Sequence, residues 1–340
     1  METQVFINSI DYFLPEDRLT NEMISEMHPE WSIEKISAKT GIYSRHIAAD
    51  NVFASDLGYN AASKIIENTG IDKSTIDFIF FCTQSPDYFL PTTACIIQSR
   101  LGMSKTSGAI DYNLGCSGFV YGLGLAKGMI LSGQAERILL ITAETYSKYI
   151  HPKDKSNKTI FGDAGAATLI SNKPMNALNG SILDFVYYTD GSGFDKLIVR
   201  NGGIKYRNET GVDIFNDEGT FVRNDKNLYM DGKAIFEFTA FVIPPLIGQV
   251  LEKNNLTIED IDLYVFHQAN EYMLQTVRKR CKIPEDKFFI FLKECGNTVS
   301  STIPIALKEA QSQGRLKPGM KVLLAGFGVG LSAAFTVLQY

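Results

Sequence analysis

The sequence predicts an α/β fold built from two similar halves with largely buried sheets, and three observations predict it. Strand-like and helix-like segments alternate along the chain, the order that builds βαβ units. Three segments recur in the same order at an offset of about 180 residues. The strand-like segments are near-continuous apolar runs, as strands covered on both faces require.

The duplication is visible segment by segment. TIDFIFFCTQ (Thr75–Gln84) parallels EDIDLYVFHQ (Glu259–Gln268): each has an Ile-Asp pair, a β-branched and aromatic run and a closing Gln, with Asp77 and Asp262 lying 185 residues apart. GCSGFVYGLGLAKGMILSGQ from Gly115 parallels GNTVSSTIPIALKEAQSQG from Gly296. Each is a Gly turn feeding a helix of small and apolar residues, and the two glycines lie 181 residues apart. ERILLITAE (Glu136–Glu144) parallels MKVLLAGFG (Met320–Gly328). Each half then passes a Gly-containing turn into another strand, FGDAGAATLI from Phe161 and GFGVGLSAAFTVL from Gly326. The plainer reading is two βαβ units alike by chance; agreement of three segments in order and offset favours a duplication. The divide falls in the polar stretch 171–180, which holds Pro and Gly. The expected halves are 1–175, carrying a candidate nucleophile, and 176–340. Residues 187–232 read as loops and short strands over one face.

At 340 residues, 45% hydrophobic and 21% charged, the chain can bury a large core. A net charge of −5 and a pI near 5.5 argue against a general nucleic-acid binder. The N-terminal METQVFINSIDYFLP has no basic segment ahead of an apolar run, so no signal peptide is expected. The longest apolar stretch, Gly115 to Leu131, is broken by glycines, a serine and Lys127. It reads as a buried helix, and no membrane span is expected. The five cysteines, Cys82, Cys95, Cys116, Cys281 and Cys295, are odd in number and include no CxxC. That argues against a disulfide framework or a metal site and fits a reducing, cytoplasmic setting.

Three residues stand where chemistry is expected. Cys116 lies between a strand and a helix start, where the helix macrodipole favours a thiolate; a buried structural Cys is the plainer reading. His267 closes the strand Leu263–Phe266, and carboxyl ends of strands face the ligand crevice in α/β sheets. The other histidines, His28, His46 and His151, lie in polar or irregular stretches. Asn297 follows Gly296 at the second repeat's helix start, where it can also serve as an N-cap. Its offset from Cys116 equals that of the flanking glycines, so the duplication predicts that the two meet across a pseudo-twofold axis.

At these residues the sequence resembles the β-ketoacyl-acyl-carrier-protein synthase III family of the thiolase superfamily, over nearly the whole chain. TGIYSRHIA at Thr40, FLPTTACIIQSRLG at Phe89, GCSGF at Gly115, FGDAGAA at Phe161, HQAN at His267, GNT at Gly296 and GFGVG at Gly326 follow in the family's order. The resemblance implies a thiolase-like fold, two α/β halves in a layered αβαβα core. It implies a ping-pong decarboxylative condensation in which Cys116 is acylated by a thioester of coenzyme A or a carrier protein. His267 and Asn297 then stabilise the enolate from a malonyl thioester. The backbone N–H groups of Cys116 and Val329 would hold the tetrahedral oxyanion. Neither metal nor redox cofactor is implied. A homodimer is implied, with Thr92–Gly102 near its interface. Relatives that use a second catalytic Cys or a Glu differ from the His267/Asn297 pair found here. Cys295 is expected to pack rather than react.

Several binding positions depart from the family pattern. The Trp and Arg that sandwich the adenine of coenzyme A align with Lys35 and Lys155, Trp31 stands four residues from the expected place, Lys39 replaces another Arg, and a carrier-docking Arg aligns with Tyr272. Leu90 replaces a Phe that reaches into the partner's acyl tunnel, which points to a longer or branched primer. Lys39, Leu90, Lys155 and Asn270 are the expected substrate- or carrier-binding residues. These departures suggest a specialised lipid, polyketide or surface-glycan pathway. The competing readings are an acyltransferase passing the group from Cys116 to oxygen, nitrogen or sulfur, and a non-catalytic partner subunit.

Overall fold

The structure is a computed structural model describing residues 4–175 and 179–340. The first half contributes β1 (Phe6–Phe13), β2 (Phe78–Cys82), β3 (Gly108–Tyr112), β4 (Arg137–Glu144) and β5 (Ala164–Ser171). The second contributes β6 (Gly180–Ile182), β7 (Leu263–Phe266), β8 (Phe288–Phe289), β9 (Lys321–Gly328) and β10 (Ser332–Gln339). The strand order is β8-β7-β9-β10-β6-β1-β5-β4-β2-β3. In each half the second strand pairs parallel with the third and fourth, and the fifth pairs antiparallel with the fourth and the first. The two sets of five share one topology, and β6 pairs with β1 to join them. The chain passes from β5 to β6 through 172–179. The expected boundary at 175/176 touches residues 176–178, which lie outside the described residues, as do residues 1–3 of the N-terminal segment.

Six helices sort into layers around these strands. They are α1 (Ala54–Thr69), α2 (Thr93–Leu101), α3 (Gly118–Leu131), α4 (Gly232–Lys253), α5 (Glu271–Arg280) and α6 (Thr302–Ser312). α1 buries Leu57, Ala61, Ala62 and Ile65, one helical face, against β1, β4 and β5. α2 covers β2 and β3, while α4 covers β9 and β10 and packs on α5. α3 touches β2 and β4 of one half and β9 and β10 of the other; α6 touches β1, β5 and β7. These two form the middle layer, which completes the expected αβαβα stack. The glycines of α3 allow this close approach. A Cβ on Gly118 would fall 2.3 Å from the Cys82 sulfur, and one on Gly122 would fall 2.2 Å from the Tyr112 hydroxyl.

One helix was not foreseen. α4, rather than Gly115–Leu131, is the segment long and apolar enough to cross a membrane by length and composition. Lys233 and Glu237 interrupt its apolar run. Half of its apolar window is buried in this structure, with Ile235, Phe238, Ile243, Leu246 and Val250 facing the core. Residues 187–232 form short strands and turns, as expected.

Candidate active site

The duplication brings the three expected residues into one cavity of about 480 Å³. Cys116 occupies the turn between β3 and α3, closed by the Gly118 N–H donating to the Gly115 carbonyl at 2.8 Å. It is 5% exposed. The second half presses directly on this turn. A Cβ on Gly326 would lie 2.9 Å from the Ser117 backbone, and one on Gly115 would lie 2.8 Å from a Val329 methyl. Ser117 and Ser332 hydroxyls meet at 2.7 Å across the same junction.

Asn297 is held on all sides. Its N–H donates to the Ile160 carbonyl at 2.9 Å, and its carbonyl accepts from the Gly162 N–H at 3.0 Å. Its side-chain Oδ1 accepts from the Val299 N–H at 2.9 Å. That bond assigns the amide orientation and turns Nδ2 toward His267, whose Nε2 lies 3.5 Å away. Asn297 is therefore not a helix N-cap, which corrects one expectation. α6 begins only at Thr302, after a short turn at Val299–Ser301. The turn needs Val299 at φ +56°, an unusual conformation for a β-branched residue and one that strained functional sites retain.

His267 follows β7 directly, and its Nδ1 lies 2.7 Å from the Thr302 hydroxyl. Burial lowers its pKa to about 3, because the charged imidazolium would lose its solvation. The ring is neutral near pH 7. Burial also pushes the Cys116 thiol up to about 12, against hydrogen bonds from the Val329 backbone and its own backbone. A helix start was expected to favour the thiolate. Desolvation outweighs it here, and the cavity holds a thiol and a neutral imidazole near pH 7.

Among the expected binding residues, Lys39 and Asn270 line the cavity. Asn270 also caps α5, its side chain accepting from the Met273 N–H at 2.8 Å. Lys155 and Leu90 lie outside the cavity lining. Lys155 pairs with Glu30 at 2.7 Å, and Leu90 is 81% exposed. Cys295 is buried, its thiol against the Phe291 and Gly296 carbonyls.

With this geometry in view, relatives can be compared. Residues 110–191 match the 3-oxoacyl-[acyl-carrier-protein] synthase III family and residues 251–340 its C-terminal region. The β-ketoacyl-[acyl-carrier-protein] synthase III of Oleidesulfovibrio alaskensis is 34% identical over 100% of both chains. A crystal structure of a 3-oxoacyl-(acyl-carrier-protein) synthase III superposes with a TM-score of 0.95 at 44% identity, covering 99% of this chain and 100% of that one. The priming β-ketosynthase of the R1128 polyketide pathway superposes with a TM-score of 0.86 at 26% identity, covering 98% and 96%. The chain belongs to the β-ketoacyl-acyl-carrier-protein synthase III family. It is a condensing enzyme of the thiolase fold, and in the broader class an acyl-transferring one.

Two residues of this synthase escaped the sequence reading. Trp31, four residues from its aligned place, comes within 5.2 Å of the Lys39 ammonium and 5.6 Å of that of Lys155. The fold thus rebuilds a Trp–cation cluster from shifted positions. Glu144 ends β4 fully buried near the Cys116 turn, and burial holds its carboxyl up to about 8. The one signal for it was an acidic residue closing an apolar strand.

Proposed function

We propose that this synthase performs a decarboxylative Claisen condensation of an acyl thioester with a malonyl thioester through an acyl-Cys116 intermediate. The observation that carries this reading is the convergence of Asn297 Nδ2 and His267 Nε2, 3.5 Å apart, in the cavity that holds Cys116. Two N–H donors placed together suit an oxyanion that forms during reaction. For His267 to donate from Nε2, its Nδ1 must accept, and the Thr302 hydroxyl at 2.7 Å supplies that proton when it turns from the Val299 carbonyl 3.1 Å away.

The steps follow from these roles. The Cys116 sulfur attacks the acyl carbonyl, and the thiol proton leaves with the departing carrier thiol. The malonyl thioester then enters, its carboxylate leaves as carbon dioxide, and the electron pair of the broken bond forms an enolate. Nε2–H and Nδ2–H meet the enolate oxygen. The nucleophilic carbon attacks the acyl-Cys116 carbonyl, whose oxygen is held by the N–H groups of Cys116 and Val329. That attack forms the new carbon–carbon bond; collapse of the tetrahedral intermediate re-forms the carbonyl and breaks the bond to sulfur, which regains a proton from solvent.

Lys39, Lys155 and Asn270 would receive the donor, whether coenzyme A or a carrier protein, and a malonyl-carrier protein would be the second substrate. The exposed Phe89 and Leu90, 77% and 81% accessible, suit a homodimer in which Leu90 enters the partner's acyl site and tolerates a long or branched primer. A cytoplasmic setting, and halves at 1–175 and 176–340 holding the nucleophile and the His267–Asn297 pair respectively, complete the reading.

Intact mass measurement after exposure to a panel of acyl thioesters tests it. One acyl group should load on wild type and not on Cys116→Ala, and malonyl-carrier protein should clear it with release of carbon dioxide. Loading that malonyl never clears would overturn condensation in favour of transfer to another acceptor.

A further inference from the structure

Glu144 carries a buried carboxyl group that the reaction above does not use, and its placement is unusual. It pairs with no Lys, Arg or His among the described residues, although burying a carboxylate without a cation is costly. Its hydrogen bonds explain where it is held. Oε2 accepts from the Gln84 N–H at 3.0 Å and the Ser85 hydroxyl at 3.1 Å. Oε1 accepts from the Ser300 hydroxyl at 3.0 Å and the Gln84 N–H at 3.2 Å.

One donor, Ser300, belongs to the Asn297 turn, and the others, Gln84 and Ser85, form the loop after β2 that lies against the Cys116 turn. The Gln84 side chain backs the nucleophile turn, its Oε1 only 2.5 Å from where a Cβ on Gly115 would lie. Ser300 stands three residues after Asn297, within the turn that Val299 closes. The end of one strand in the first half therefore holds the Gln84–Ser85 loop, which backs the Cys116 turn, with both oxygens and the Asn297 turn with Oε1.

We propose that Glu144 is a positioning residue whose carboxyl group fixes the Asn297 turn of the second half against the Gln84–Ser85 loop that backs the Cys116 turn of the first. The two grips are unequal. Gln84 is also held by Asn113 at 3.0 Å, by the Tyr146 hydroxyl and, through its carbonyl, by the Tyr149 hydroxyl at 3.0 Å. Ser300 has, besides Glu144, a contact with the Cys82 thiol. Loosening the clamp therefore lets the Val299–Ser301 turn, which fixes the Asn297 side chain through the Val299 N–H, shift while the nucleophile turn stays in place. The malonyl half-reaction suffers, and acylation of Cys116 is largely spared.

The inference rests on the condensing reading, and one experiment separates the two. Wild type, Glu144→Gln, Ser300→Ala and the double variant are each assayed for acyl loading by intact mass and for carbon dioxide release from malonyl-carrier protein. Each single variant should load within about threefold of wild type and lose tenfold or more in carbon dioxide release. The double variant should be no worse than Glu144→Gln, as expected when both act through one contact. Ser300→Ala removes one hydroxyl and keeps the test decisive if Glu144→Gln fails to fold. If wild type releases no carbon dioxide, the condensing reading fails. If wild type does so and Ser300→Ala matches it, or if loading and decarboxylation fall together in step with melting temperature, the clamp is overturned.

Discussion

Gly328 touches the Cys116 side chain: a Cβ at position 328 would lie 2.8 Å from both the Cβ and the sulfur of Cys116. The last residue of β9, in the second half, is thus the floor beneath a nucleophile carried by the first. No side chain fits between them, so the convergence that the repeat pattern implies is enforced by the absence of one.

Gly328→Ala should therefore act on the nucleophile. A contact below 3.0 Å forces movement, and here the atom that must move is the reacting sulfur or its Cβ. Overpacking of this kind costs roughly 1–3 kcal/mol, and a displaced nucleophile loses reactivity steeply. Acyl loading of Cys116 is expected to fall at least tenfold while the protein still melts cooperatively. Loading kinetics by intact mass, beside a thermal melt, check this. Wild-type loading rates in Gly328→Ala would show that the turn can yield.

The site was legible where the signal lay in chain order, and hidden where it lay in packing. Cys116 and Asn297 were singled out because two copies of one strand–turn–helix unit place them at matching points, and His267 because it closes a strand; the fold brings all three to one cavity. Trp31 was read as misplaced because counting from Thr40 assumes a fixed path. Ser32 caps the helix Ile33–Thr40, its side chain accepting from the Lys35 N–H at 3.3 Å, so Trp31 precedes the helix and meets Lys39 and Lys155. Glu144 looked like the end of an apolar strand; only the fold shows Ser300 opposite it. The acidity of Cys116 was misjudged for a related reason. A helix start is visible in sequence, but the desolvation that opposes it is a property of the whole core.

Thr302 sets the ring of His267, and Thr302→Val tests this with little change in volume. Without the hydroxyl, which the Val299 carbonyl also contacts at 3.1 Å, Nδ1 loses its 2.7 Å partner, and nothing is left there to donate to it in the tautomer that donates from Nε2. A buried hydrogen bond of this kind contributes about 1 kcal/mol and leaving one partner unsatisfied costs about 1–3 kcal/mol. Carbon dioxide release from malonyl-carrier protein should fall about tenfold, with acyl loading much less affected because it does not use the Nε2–H. An equal loss in both half-reactions would show that Thr302 only packs the ring.

The two buried titrating groups should write opposite signatures into stability. His267 has its pKa lowered from 6.5 to about 3, so the unfolded chain binds a proton that the folded chain refuses. Its contribution is present above pH 6.5 and is lost as pH falls toward 3. Glu144 has its pKa raised from 4.5 to about 8, so the folded chain keeps a proton that the unfolded chain releases. Its contribution is present below pH 4.5 and is lost as pH rises through 8. Each effect has a limiting slope of about 1.4 kcal/mol per pH unit. Other carboxylates titrate in every variant alike, so they cancel in differences from wild type. Measured between pH 4 and 6, the melting temperature of His267→Gln should gain on wild type as pH falls. Measured between pH 6 and 8, Glu144→Gln should gain on wild type as pH rises. Parallel curves for Glu144→Gln and wild type would show that the carboxyl is already ionised below pH 6, and that its hydrogen bonds from Gln84, Ser85 and Ser300 outweigh its burial.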